Sequence, residues 1–329
     1  MSSMRLADVL NPSSTLALRV SVLATLIWAG HAKAEDLVTP AIEGVVAAGT
    51  KIELIQDGFN GTEGPLGLPD GSLVFTETPA NRITRIAADG SVSAFVEDSN
   101  GSNGLGVDAH GDIVSVQRGK PQVGVIYPAE HRKLLADSFE GKPFNQPNDL
   151  VVGSKAGIFF TDPGAQPKPG EAAPAPAVYH IDTGGKVQRI ATDIARPNGI
   201  QLSTDEKTLY IANTAGEYVI AYDVAANGSV GKPRNFAKLK AGLTPTDTGA
   251  QSSGADGLAV DAKGRLYVAS NAGIEVFDAK GKALGVIALP KKPQNLAFAG
   301  QDKKLLYVVG RGAVYKIATQ SAGFSGRAK

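Results

Sequence analysis

The chain has 329 residues, 43% of them hydrophobic and 20% charged, with a formal net charge of +1 and no cysteine. That length can bury a large core, and the charge balance gives no electrostatic basis for binding nucleic acid or an acidic membrane surface. Without cysteine, disulfides, Cys-ligated zinc and Cys nucleophiles are excluded.

The first 34 residues read as a secretory signal peptide. Arg5 and Arg19 precede an apolar run over residues 20–29, and Ala32-Lys33-Ala34 forms an A-x-A cleavage pattern. The run of about 10 apolar residues is half of the roughly 20 that a spanning helix needs. The expectation is cleavage after Ala34, a periplasmic or secreted product, and one domain over residues 35–329 with no membrane attachment.

From residue 63 onward one design recurs six times: an oxygen-bearing side chain at the mouth of a short apolar run. The copies are Glu63-Gly64-Pro65, Asn103-Gly104-Leu105, Asn148-Asp149-Leu150, Asn198-Gly199-Ile200, Asp256-Gly257-Leu258 and Asn295-Leu296-Ala297, spaced by 40, 45, 50, 58 and 39 residues. The shorter spacings match a four-stranded propeller blade. In the first unit, residues 65–68, 72–76, 82–86 and 91–96 read as strands separated by the turns Pro69-Asp70-Gly71 and Ala88-Asp89-Gly90. Later units repeat the alternation at 112–116, 158–161, 208–212 with 218–222, 265–269 with 273–277, and 305–309 with 313–317.

No long 3.6-residue periodicity occurs, so the fold class is all-β. The sixth unit ends after three strands, and residues 51–55 form a spare strand ahead of the first. The expectation is a six-bladed β-propeller closed by that N-terminal strand, which leaves no exposed sheet edge. Residues from about 319 read as a loose tail. The insertions at 164–177 and 241–255 are rich in Pro and Ala, and in Gly, Ser and Thr; both read as loops able to border a site.

Inner strands of a propeller aim their ends at the central channel. The six starts would therefore gather Glu63, Asn103, Asn148, Asn198, Asp256 and Asn295. Two carboxylates and four amides make a hard, all-oxygen set suited to calcium or magnesium rather than to copper or zinc. Asn and Asp before Gly are also ordinary turn residues. Six at one equivalent place, with a glutamate where no turn asks for one, favour a metal centre. His31, His110, His131 and His180 are scattered and take no metal role. No G-x-S-x-G elbow, phosphate loop or H-E-x-x-H helix is present.

These residues resemble the senescence marker protein/gluconolactonase family, which includes regucalcin and bacterial lactonases. The matches are Glu63-Gly64-Pro65 with Asp70-Gly71; Asn103-Gly104-Leu105; Pro147-Asn148-Asp149 with Phe160-Thr161-Asp162-Pro163; Pro197-Asn198-Gly199 with Asp205 and Thr208-Leu209-Tyr210; and Asp256-Gly257-Leu258-Ala259-Val260-Asp261. The resemblance covers about residues 50–318. It implies a six-bladed propeller with one axial divalent cation, calcium first, with magnesium, manganese or zinc as alternatives. It implies the ligands Glu63, Asn148, Asn198 and Asp256, with Asp256 also the base or nucleophile. Gln146 is then a candidate substrate contact, and Asn103 and Asn295 either contact substrate hydroxyls or serve only as turn residues.

The implied activity is hydrolytic opening of a small-molecule lactone by a monomer. The alternatives are a phosphotriester or other ester hydrolase on the same cation, and a propeller that binds without turnover. Three positions depart from the family pattern. Gln146 stands where regucalcin-like members have a substrate-contacting arginine, Gln117-Arg118-Gly119 where many bacterial members have Glu-His-Gly, and Gly164-Ala165 where some have Pro-Tyr-Gly. Gluconolactone itself is therefore not implied as the substrate.

Overall fold

The structure is a computed structural model in which residues 37–165, 174–246 and 249–326 are described. The expected signal peptide lies outside these residues, as do the middle of the insertion after Pro163 and the last three residues. No helix among the described residues is long and apolar enough to cross a membrane.

Short runs rich in Val, Ile, Leu and Tyr, punctuated by Asp-Gly turns, fold into six four-stranded antiparallel sheets. The first blade is Glu63–Gly67, Leu73–Glu77, Arg82–Ile86 and Val92–Glu97. The next four follow in chain order, each opening on its inner strand: Ser102–Val107, Leu150–Gly153, Pro197–Leu202 and Leu258–Val260. The sixth combines Asn295–Ala299, Leu305–Gly310 and Ala313–Ala318 with Ile52–Gln56, which pairs with the last of these in the register Ile52↔Ile317 and Leu54↔Tyr315. The only helix among the described residues is 3-10, at Thr78–Ala80 and Ala129–His131.

The core lies between blades. Leu66, Leu105, Leu150, Ile200, Leu258 and Leu296, one from each inner strand, are all fully buried. Each is worth about 2 kcal/mol of burial. Larger side chains seal the outer gaps; Phe144 stands 5.0 Å from Phe160 and 5.2 Å from Tyr179, centroid to centroid.

Two segments differ from the sequence reading. Residues 319–324 do not form a loose tail. Thr319 N–H donates to the Lys304 carbonyl, Gln320 to Val45, Gly323 to Lys303 and Phe324 to Val260, tying the segment to two blades. The 241–255 insertion contains a small hairpin, Thr244–Pro245 with Gln251–Ser252. Its far end is bonded to Thr214: the Thr214 hydroxyl donates to the Ala255 carbonyl (2.6 Å), and the Ser252 hydroxyl donates to the Thr214 carbonyl (2.7 Å).

Candidate active site

The inner strands of the first, second and fourth blades enter through bulges, between Glu63 and Leu66, Ser102 and Leu105, and Pro197 and Ile200, and the backbone pairing sets which side chain faces the axis. Asn148 N–H donates to Thr161 O, Asp256 N–H to Ala269 O and Gln294 N–H to Val309 O, each at 2.8 Å. Those three positions are therefore equivalent. The sixth start is Gln294, and Asn295 lies one residue further along the strand, level with Asp149 and Gly257. The sixth start is therefore corrected from Asn295 to Gln294. Asn295 is 1% exposed, and its amide is spent inside the protein.

The level below the starts explains the recurring glycines. A Cβ on Gly199 would stand 2.2 Å from the Asp256 carbonyl oxygen, and one on Gly257 would stand 2.0 Å from Asn295 Oδ1. Adjacent inner strands converge too closely for side chains there. Two blades nonetheless carry side chains at this level. Asp149 and Asn295 each accept their following backbone N–H at 2.9 Å, and Asn295 Nδ2 reaches Asp149 Oδ2 at 3.5 Å. They come from the third and sixth blades, so the channel here is one side-chain pair wide.

Above that floor sit the starts themselves. Glu63 accepts from Asn295 Nδ2 (3.2 Å), Gln294 Nε2 (3.3 Å) and its neighbour Gly64 N–H (3.3 Å). Glu63 and Asp256 are ringed by protein yet keep part of their surface open to solvent. Burial pushes the Glu63 carboxyl above its usual range, and the charge of Asp149 adds to the effect. Burial and the charge of Glu63 push Asp256 well above its own, with Lys292 partly offsetting them.

Asn198 donates through Nδ2 to the Thr214 hydroxyl at 3.2 Å, which fixes the amide and leaves Oδ1 buried without a hydrogen-bond partner. An orphaned buried oxygen on the blade preceding Asp256, which the Glu63 charge itself repels, is the kind of environment a hard cation relieves. Asn148, half-buried, completes the expected four. Among the described residues no three of His, Cys, Asp and Glu are gathered tightly enough to make an all-charged metal cluster. The expected donor set, Glu63, Asn148, Asn198 and Asp256, is two carboxylates and two amides.

Asn103 is 1% exposed. Its Nδ2 donates to the Asn148 carbonyl at 2.8 Å, and its Oδ1 accepts from the Thr78 hydroxyl (3.0 Å) and Arg118 Nη1 (3.2 Å). With both ends of its amide used internally, it positions Asn148 and Arg118. Gln146 is half-buried. Its backbone N–H is held by Asp162 Oδ1 at 2.8 Å, while Asn145 N–H bonds Asp162 Oδ2 at 2.8 Å. Asp162 thereby shapes the loop that delivers Asn148.

The structure adds residues that spacing did not single out. Arg118 follows the second strand of the second blade, and Lys292 lies two residues before Gln294. Both act electrostatically on Asp256. A cavity of about 810 Å³ near Thr204, Asp205 and Phe324 includes none of these axial residues and belongs to another part of the surface.

Fold and site together define a six-bladed propeller with an oxygen-rich axial centre. The description of the SMP-30/Gluconolactonase/LRE-like region matches residues 45–311. The chain belongs to that family. It is 28% identical to a gluconolactonase of Zymomonas mobilis over 87% of this chain and 86% of the relative. It is 25% identical to a pentonolactonase of Haloferax volcanii over 76% and 81%. Among solved structures, a gluconolactonase of Xanthomonas campestris aligns with a TM-score of 0.73 and 28% identity, covering 86% of this chain and 94% of that one. A calcium-binding regucalcin of Agrobacterium tumefaciens shares the fold, with a TM-score of 0.68, 19% identity and coverage of 83% and 95%.

Proposed function

We propose that this protein opens a lactone ring by hydrolysis at the channel mouth, using one divalent cation held by Glu63, Asn148, Asn198 and Asp256. The observation that carries this reading is the convergence of two carboxylates with the unpartnered Asn198 oxygen on the axis. Relatives that match over most of their length and are named gluconolactonase and pentonolactonase support the choice of a lactone. An all-oxygen donor set favours calcium, ahead of magnesium, manganese or zinc. Bound there, the cation would supply Lewis-acid polarisation of the ester carbonyl.

The chain's own residues supply the rest. Asp256 takes the proton from the attacking water, or attacks the carbonyl carbon itself. Glu63 stays fixed by the Asn295 and Gln294 amides. Asn103 holds Asn148 in place. Gln146, half-buried two residues before Asn148, would meet substrate hydroxyls. Two neutral amides among the four ligands limit the negative charge on the ion and preserve its electrophilicity.

The test is a panel of aldonolactones with an acid-release readout, run on wild type and Asp256→Asn with bound metal measured in both. Lactone opening that disappears in the variant supports the reading; opening that survives in the metal-replete variant overturns it. The N-terminal pattern further leads us to propose export, tested by sequencing the mature N-terminus from a periplasmic or secreted fraction. A start at Glu35 supports export, and a chain retaining its first 34 residues contradicts it.

A further inference from the structure

Resting on that reading, we propose that the natural substrate is an anionic lactone, one bearing a carboxylate or phosphate beyond the ring ester, and that Arg118 is the residue that receives this group.

Arg118 is built into the site. Its backbone N–H donates to the Gly101 carbonyl at 3.1 Å, and the next two N–H groups, of Gly119 and Lys120, bond the Asn100 carbonyl (3.0 Å) and Asn100 Oδ1 (2.8 Å). Gln117, just before it, accepts from Asn100 Nδ2 (2.8 Å) and Gln122 Nε2 (2.7 Å). The turn is therefore fixed from both sides. The guanidinium gives Nη1 to Asn103, while its Nε is buried without a partner. Among the described residues no carboxylate lies within ion-pair distance of it. A half-buried guanidinium with a buried, unspent Nε donor and no carboxylate at ion-pair distance is an incomplete half of a bidentate pair.

The surroundings share its sign. Arg196 stands two residues before Asn198 and Lys292 two before Gln294, the level that Gln146 occupies in the third blade. Arg311 follows the second strand of the sixth blade. Arg118, Lys292 and Arg311 act on the field at Asp256, and Arg196 acts on Arg118. Four carboxylates, Glu63, Asp149, Asp162 and Asp256, face four cationic side chains. A divalent ion at the proposed centre would leave the mouth with excess positive charge. A neutral sugar lactone does not use that excess; an anionic one does. The arginine missing at Gln146 is thus offset by cations delivered from other blades, which approach the substrate from a different side.

The experiment compares kcat/KM for a neutral aldonolactone, an aldarolactone carrying a carboxylate, and a phosphorylated aldonolactone, with wild type, Arg118→Gln and Arg118→Lys. The result expected is a preference for at least one anionic lactone over the neutral one. That preference ratio should fall about 30-fold in Arg118→Gln, the scale of a hydrogen-bonded charge contact, and be partly kept in Arg118→Lys. The carboxylate and phosphate arms identify which anion is meant. A ratio at or below one in wild type overturns the proposal, as does a ratio unchanged by Arg118→Gln while all rates fall together. Calorimetric binding of the ring-opened aldarate dianion provides a readout without turnover. If no lactone of any kind is opened, the hydrolytic reading fails, while binding by wild type that weakens in Arg118→Gln still supports charge recognition. Equal binding by both proteins overturns it.

Discussion

The two ends of the inner strands use the same residue types for opposite purposes. At the turn end, Asp70 accepts the Ser72 N–H at 2.9 Å, Asp205 accepts the Lys207 N–H at 3.1 Å, and Asp261 accepts the Lys263 (2.8 Å) and Arg265 (3.0 Å) N–H groups. Hydrogen bonds from the Ser72 and Ser203 hydroxyls and from these backbone groups hold the Asp70 and Asp205 carboxyls below their usual range. At the mouth end, Asp256 and Glu63 are pushed above it, and Asn198 Oδ1 has no partner. A carboxylate that closes a local turn is satisfied by its own backbone. One that faces other carboxylates across an axis needs something from outside the chain.

Substitutions at the two ends should therefore separate activity from stability. The largest effect belongs to Asp256→Asn. Its lactone-opening rate is expected to fall at least about 10³-fold, the loss expected for a base that also helps hold the electrophile. In chelator the same variant is expected to be no less stable than wild type in urea unfolding, because the charge it removes is buried beside Glu63. Marked destabilisation would place Asp256 with the turn-end aspartates.

Next comes Gly257→Ala, whose Cβ would meet both Asn295 Oδ1 (2.0 Å) and Asn295 Cα (2.6 Å). The expected cost is about 3 kcal/mol of unfolding free energy. Adding Asn295→Gly should recover only part of it, since the backbone contact remains.

Asp261→Asn inverts the first result. Asp261 also accepts from Arg265 Nε (2.6 Å) and the Tyr267 hydroxyl (3.1 Å) and is fully buried. Denaturant titration should show a loss of about 2 kcal/mol, with turnover per folded molecule within twofold of wild type.

The smallest effect is at Asp70, an exposed turn residue paired with Arg85 and bonded to Ser72. Its folded pKa is lowered, so its contribution is complete above the ordinary carboxylate value of about 4 and is lost as pH falls through the folded value. The melting temperature of Asp70→Asn should lie slightly below that of wild type at pH 7, by the equivalent of under about 1 kcal/mol. The two should converge as pH falls through the lowered folded value; a gap that widens in acid would reverse the sign.

Much of this was legible in the chain. Apolar alternation and Asp-Gly turns determine the sheets, so six starts and the pairing of residues 51–55 with the last strand follow from local pattern. The register at one start did not. Asn295-Leu296 reads like the other starts because a short amide precedes a leucine, but only the bond from Gln294 N–H to Val309 O shows that the start sits one residue earlier. Asn103 carried the right residue type with two readings open, because the use of its amide depends on Thr78, Asn148 and Arg118 from separate turns. Arg118 was visible as a departure from a family motif, yet nothing in its spacing reveals that the turn folds inward. The binding of residues 319–324 by Val45, Val260, Lys303 and Lys304 depends on elements far away in sequence.

The central claim is that the mouth-end oxygens form one cation site on which hydrolysis depends. Its most direct test strips the protein with chelator, removes the chelator, and follows the initial rate of aldonolactone opening as calcium is returned, with bound metal counted at each step. The account requires the rate to be lost on stripping and restored in proportion to one bound ion per chain, with neither binding nor restoration in Glu63→Gln. Full activity in metal-free protein, or restoration that Glu63→Gln leaves intact, would contradict it.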